Sequence, residues 1–439
     1  STMAMVAEFC DELTKNEKLD VLEELGGQQP PDSPVLCSES DPPDGGRLAW
    51  ATALGSFLIQ FCGYGYLTSF GVYQDFYTRI YLNNQPPSTI SWIGSLSSFL
   101  IASSTLISGL MYDRGWFYHI MIVGSSLQSL SLFALSFAKP GQFYMIFVLQ
   151  GVVSGFGMGL TFGPSMAVLS QHFSKRRTLV MTFVVSGSPM GAIIHPIMLN
   201  HLLNGPVGFA GGVRASAGLI SALLLIACLS MRTRAPSMPT ASASYSAVAR
   251  KCSREVPFIL TTVGIMLCQI GFYFPLFYLQ LDSIKHGIDA HFSFYSLVIL
   301  NAACAVGRGT AGIIAAYTGL LNLTIASTAA CGIVTISMIA LSDISSVVVI
   351  AVTYGYVSGI YDAVLVPLVT VLTPDLSELG ARMGICFVFT GACGPISGAL
   401  LSSQYRWLIP SLFSGIICLV GCLVFVVMRL MIYGTGNHP

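Results

Sequence analysis

Arg308 and Asp362 each lie in a stretch that otherwise reads as hydrocarbon. An ionised side chain at membrane depth costs about 2.5–3.5 kcal/mol or more, so such residues are first candidates for function. A guanidinium presents two parallel donors to a planar carboxylate, which suits an organic anion. A carboxyl group in a low-dielectric site holds its proton more readily, which suits proton exchange. If the two side chains meet, each relieves the other's desolvation. Such a pair can be static, or a bound anion can displace Asp362 from Arg308 and leave Asp362 to take a proton. Arg308 can also snorkel or cap backbone carbonyls, since it lies only about 6 Å from mid-helix at 1.5 Å per residue. His195, just before Pro196, is a third titratable group within an apolar run. It reads either as a neutral packed histidine or as a titrating gate.

These residues need long helices to hold them. The chain has 439 residues, 54% of them hydrophobic and 9% charged. A soluble domain carries about 25% charge. Twelve apolar runs are expected to cross the membrane, at 48–72, 90–111, 117–138, 143–169, 178–201, 215–231, 257–281, 292–316, 320–341, 347–371, 384–402 and 409–430. With no water to satisfy the backbone, such runs must be helical, and nothing in the chain has the alternation of a barrel. The expected class is an all-α membrane protein. Polar positions on these helices are expected to face the bundle interior. They are Gln60 and Tyr64 in helix one, Gln269 and Tyr273 in helix seven, and Asn301 in helix eight. Asn301 is seven residues before Arg308 and so shares its face.

The twelve cysteines show no metal or disulfide spacing. Gly155-x-Gly157-x-Gly159 lies mid-membrane with no strand before it, so it reads as helix packing and not as a nucleotide cradle. No cofactor, metal or nucleic acid is expected.

Residues 1–47 hold eleven of the twenty carboxylates within their first 44 positions and read as an acidic, disordered tail. Residues 48–231 form a first six-helix half, 232–256 a linker with five basic residues, 257–430 a second half, and 431–439 a short tail. With both tails inside, twelve Lys and Arg residues flank helices on the inner side and five on the outer. Both termini are therefore expected in the cytoplasm.

The two halves resemble each other. Gly151, Ser154, Gly155 and Gly187 recur as Gly355, Ser358, Gly359 and Gly391, all at an offset of 204. This matches the parallel six-plus-six repeat of a major facilitator, whose site lies near the midplane between halves. Gly109-Leu110-Met111-Tyr112-Asp113-Arg114-Gly115 closes helix two and is similar to the G-x-x-x-D-R-x-G loop of that fold. Gly109 would let helices approach, and Asp113 and Arg114 would latch neighbouring helix ends in one conformation.

Helix one is introduced by Asp44-Gly45-Gly46 with Trp50 following, and helix five by Phe173-Ser174-Lys175-Arg176-Arg177 with Gly187-Ser188-Pro189-Met190-Gly191 following. These residues resemble the monocarboxylate-porter family, particularly its fungal branch. The resemblance implies that Arg308 pairs with a substrate carboxylate. Animal members also carry an Asp four residues earlier and a Lys in helix one, where this chain has Cys304 and Thr68. That departure argues against simple proton–lactate symport and leaves Asp362 and His195 as proton-coupling candidates.

The expectation is a secondary transporter and not an enzyme, working by alternating access in the plasma membrane. Its partners are the lipid bilayer, protons and a small organic acid or amphiphilic metabolite. Export of a fungal secondary metabolite is the first reading and proton-coupled monocarboxylate uptake the alternative. A transporter-like nutrient sensor is the alternative of another class. Arg308, Asn301, Gln60, Tyr64, Gln269 and Tyr273 are the expected binding residues, and Gly109, Asp113 and Arg114 the expected latch.

Overall fold

The computed structural model describes residues 44–234, 245–391 and 408–434. The acidic tail and the middle of the linker lie outside the described residues. Those described are helical, joined by short turns. Among the described residues, ten helices are long and apolar enough to cross a membrane. They begin with Thr89–Asp113, Phe117–Leu135, Phe143–Gln171, Arg177–Asn204 and Gly208–Ser230. Val256–Gln280, Phe292–Thr318, Leu320–Ala340, Ile344–Val371 and Leu408–Ile432 follow. These correspond to expected helices two to ten and twelve. Helix eleven is described as Leu379–Gly391, and the rest of its expected run lies outside the described residues.

Helix one departs from the simple span. It consists of Arg47–Cys62, Tyr64–Leu67 and Phe70–Phe76 and ends in a π turn at Tyr77–Tyr81. The first break falls at Gly63, where helix one crosses helix five. A Cβ on Gly65 would lie 2.8 Å from both the Cα of Gly191 and the carbonyl oxygen of Ser188. Only glycine permits that approach. Helix five is broken too, into Arg177–Val185 and Gly187–Asn204.

Several charges expected in flanking loops lie inside helices. Helix six starts at Gly208 and not at 215. Arg214 is thus helical. Its Nε donates to Ser136 Oγ at 3.1 Å, and its guanidinium stacks over Phe137. Arg79 lies in the terminal π turn of helix one and pairs with Asp75 one turn back. Arg382 belongs to the first turn of helix eleven.

The offset-204 repeat has a packing basis. Gly155 of helix four lies against Ser97 of helix two, and Gly359 of helix ten lies against Cys304 of helix eight. The same small-residue contact joins the corresponding helices of each half. Between halves, contacts gather toward the face that carries Asp113, Lys175–Arg177 and Arg382. Phe162 of helix four meets Phe387 of helix eleven with ring centroids 5.9 Å apart, and Asp113 of helix two meets the start of helix eleven.

Candidate functional site

Helix eight and helix ten pack through glycines, which brings Arg308 and Asp362 together. Arg308 Nη2 pairs with the Asp362 carboxylate. Arg308 is 8% exposed, whereas a quarter of the Asp362 side chain remains accessible (25%). Arg308 Nη1 also donates to the carbonyl of Val185 in helix five, at 3.0 Å. The guanidinium therefore reaches across the interface between the two halves.

Tyr64 of helix one and Tyr273 of helix seven share this electrostatic neighbourhood with Arg308 and Asp362. Tyr64 packs edge-on against Phe162, ring centroids 5.0 Å apart. Four helices, two of them symmetry-related, thus deliver polar groups to one place. Gln60 and Gln269 sit one turn before the two tyrosines and repeat a Gln-x-x-x-Tyr spacing in helices one and seven. Both are buried, and Gln60 Nε2 and Gln269 Oε1 have no hydrogen-bond partner among the described residues.

Two expected residues make contacts of their own. Asn301 donates its amide to Leu297, one turn earlier in helix eight, at 2.8 Å. His195 is fully buried within the first half. It packs against Phe61, ring centroids 4.7 Å apart, and edge-on against Tyr66.

The charged face has its own architecture. Asp113 accepts from the N–H groups of Gly380 at 3.0 Å and Ala381 at 2.8 Å. A carboxylate thereby caps the positive end of helix eleven, across the divide between halves. Arg114 is the C-cap of helix two. Asp44 does a similar job within the first half, accepting from Ser174 at 2.7 Å and Arg176 at 3.2 Å at the start of helix five. Trp50 lies edge-on to Phe173 at 5.6 Å. The two segments that suggested the porter resemblance therefore touch each other.

Three features were not expected from the sequence. Arg382 is fully buried and bidentate to Glu255 at 2.6 and 2.8 Å, with Glu378 at 3.3 Å. Lys251 of the linker helix Tyr245–Cys252 reaches Glu378 at 3.0 Å. Arg382 holds the Glu255 carboxyl below the usual carboxylate range. The signal was the Glu378-x-x-x-Arg382 spacing, one helical turn. The second is the open carbonyl of Val185.

The third is Asp282, buried past the far end of the span in helix seven. His286 Nδ1 lies 3.0 Å from its main-chain oxygen and 3.1 Å from its carboxylate. Burial pushes the Asp282 carboxyl up to about 6, against the pull of His286. The folded state then keeps a proton that the unfolded chain has already released. Stability is greatest below the unfolded value near ~4 and is lost as pH rises through about 6. Asp282→Asn should remove this loss. Its thermal midpoint in detergent should exceed that of the parent at pH 7.5 and match it at pH 4. A parallel pH dependence in both proteins would exclude Asp282 as the titrating group.

Two helical halves, joined across their interface by Arg308 and by the Asp113 cap on helix eleven, define a multi-pass membrane transporter. Residues 49–385 match the Major Facilitator Superfamily, and the chain belongs to it. It is 30% identical over 410 residues to the aspyridones efflux protein apdF of Emericella nidulans, covering 92% of this chain and 82% of that one. It is 33% identical over 385 residues to the agnestins efflux protein AgnL12 of Paecilomyces divaricatus, covering 86% and 87%. The fold is similar to that of the E. coli fucose:proton symporter FucP, with a TM-score of 0.69 at 14% identity over 87% of this chain and 99% of that one.

Proposed function

We propose that this chain exports an organic acid of fungal secondary metabolism across the plasma membrane, as a porter of the monocarboxylate type. The observation that carries this reading is Arg308, a buried guanidinium held by Asp362 where helices one, seven, eight and ten converge. Such a cation recognises a carboxylate or an acidic enol, and Tyr64 and Tyr273 offer flat faces for an unsaturated body. The amides of Gln60 and Gln269 complete the polar wall. The efflux proteins among its relatives support the direction.

The basic face is cytoplasmic by the positive-inside rule, with both termini on that side. The contacts of Asp113 with helix eleven and of Phe162 with Phe387 then close the inner side, so the conformation described is closed to the cytoplasm. Gly109, Asp113 and Arg114 form the latch. When cargo takes Arg308, Asp362 loses its counter-ion and binds a proton, so anion and proton cross together and export runs down their combined gradient. We assign that step to Asp362 and not to His195, which is enclosed by Phe61 and Tyr66.

Proteoliposomes with a defined pH gradient and a panel of labelled aromatic and aliphatic acids test this. Gradient-dependent flux of at least one acid, lost in Arg308→Ala at normal protein levels, is the expected result. Normal flux in Arg308→Ala would remove the site assignment. Flux of every active acid in the uptake direction alone would reverse the direction.

A further inference from the structure

In an α-helix the carbonyl of residue i accepts from the N–H of residue i+4. For Val185 that residue is Pro189, which has no N–H to give. The Val185 side of the break is buried, and a buried carbonyl without a donor is costly in a membrane interior. Its donor comes from the other half of the molecule. Arg308 Nη1 reaches it at 3.0 Å while Nη2 of the same guanidinium holds Asp362. One side chain thus ties helices eight and ten to the break in helix five.

We propose that Pro189 is a positioning residue for Arg308. By removing the intrahelical donor it creates an acceptor on which Arg308 rests while the basic face is closed. This internal contact holds the two halves together and withholds Arg308 from cargo in the same state. The second consequence rests on the assignment of Arg308 as the cargo cation. Opening of the basic face separates helix five from helix eight, breaks the contact and returns Nη1 to the site. With the basic face in the cytoplasm, the anion is gripped from inside and discharged outside, where Val185 and Asp362 compete for the same guanidinium. The break in helix five then favours release on the outer side, while the gradients set the net direction of flux.

The test uses the full-length chain in nanodiscs without cargo. Spin labels on unnatural amino acids at Lys175 and Tyr317, both exposed, report the separation of helices five and eight on the basic face. Pro189→Ala gives Val185 an intrahelical donor that competes with Arg308. Arg308→Lys keeps the charge but has one nitrogen and cannot span both acceptors. Each should raise the ratio of open to closed basic face about tenfold, the worth of one hydrogen bond to a charged group. The double variant should match Arg308→Lys alone, since both remove one contact. Pro189→Gly supplies the same N–H as an independent replacement. An unchanged ratio in both well-folded Pro189 variants would overturn the proposal. So would effects that multiply in the double variant, because straightening helix five by itself would add to the loss of Arg308. The measurement needs no cargo, so a failure here is distinct from normal transport by Arg308→Ala, which would end the cargo assignment and leave the tie standing.

Discussion

Asp362→Ala should destabilise the protein by about 3 kcal/mol, and the double variant Arg308→Ala/Asp362→Ala should recover most of that loss without recovering transport. Removing one partner of a buried pair leaves the other charged and uncompensated, which typically costs about 3–5 kcal/mol. The lower end applies because 25% of the Asp362 side chain is accessible. Removing both partners removes the desolvation cost along with the attraction. Arg308→Ala alone should be milder than Asp362→Ala. It strands a partly accessible carboxylate that can take up a proton, whereas Asp362→Ala strands a guanidinium that cannot lose one. Denaturant unfolding in detergent would show the order, with parent and double variant close together and Asp362→Ala lowest. A double variant no more stable than Asp362→Ala would mean that the pair is not the interaction that matters. Flux measured on the same proteins should be lost in all three, because both Arg308 variants lack the cation that recognises the anion and Asp362→Ala lacks the carboxyl that takes the proton.

What the sequence made legible follows from cost. Arg308 and Asp362 stood out because charge at mid-helix depth is expensive, and the structure pairs them. Arg382 is as deeply buried, yet it lies at a helix start, where a basic residue reads as an ordinary flank. Only the fold brings Glu255 to it across 127 positions. Asp282 reads as an ordinary flank for the same reason, since it follows the expected apolar run 257–281 directly. Hydropathy starts helix six at 215 and leaves Arg214 outside it, because the helix begins with glycines that hydropathy does not favour. The breaks in helices one and five were hidden because composition there stays apolar; Gly63, Gly65 and Pro189 interrupt geometry and not hydrophobicity. The Val185 acceptor has no side-chain signature at all. It is visible only as a proline four residues on, and its donor lies 123 positions away.

Gly109→Val should reduce transport at least tenfold with normal protein level, the second of the two largest effects expected. Gly109 lies directly against the Gly380 carbonyl, so a side chain at either position would enter the backbone of the facing helix. Helices two and eleven must then separate, and the Gly380 and Ala381 N–H groups are pulled from Asp113. Asp113→Asn tests the electrostatic share separately. It keeps one acceptor oxygen but loses the charge that favours a helix N-terminus, worth about 0.3–1 kcal/mol. It also loses one of two charge-assisted bonds at about 1.5 kcal/mol or more. Transport in Asp113→Asn should fall about tenfold or somewhat less, and more steeply in Gly109→Val. Both variants should make the basic face more accessible to a water-soluble label applied from that side, because both weaken the closed arrangement and neither touches Arg308. If Gly109→Val transports at the parental rate, helices two and eleven do not need to close for the cycle to run. The acid cap on helix eleven would then be a packing feature of one conformation and no latch.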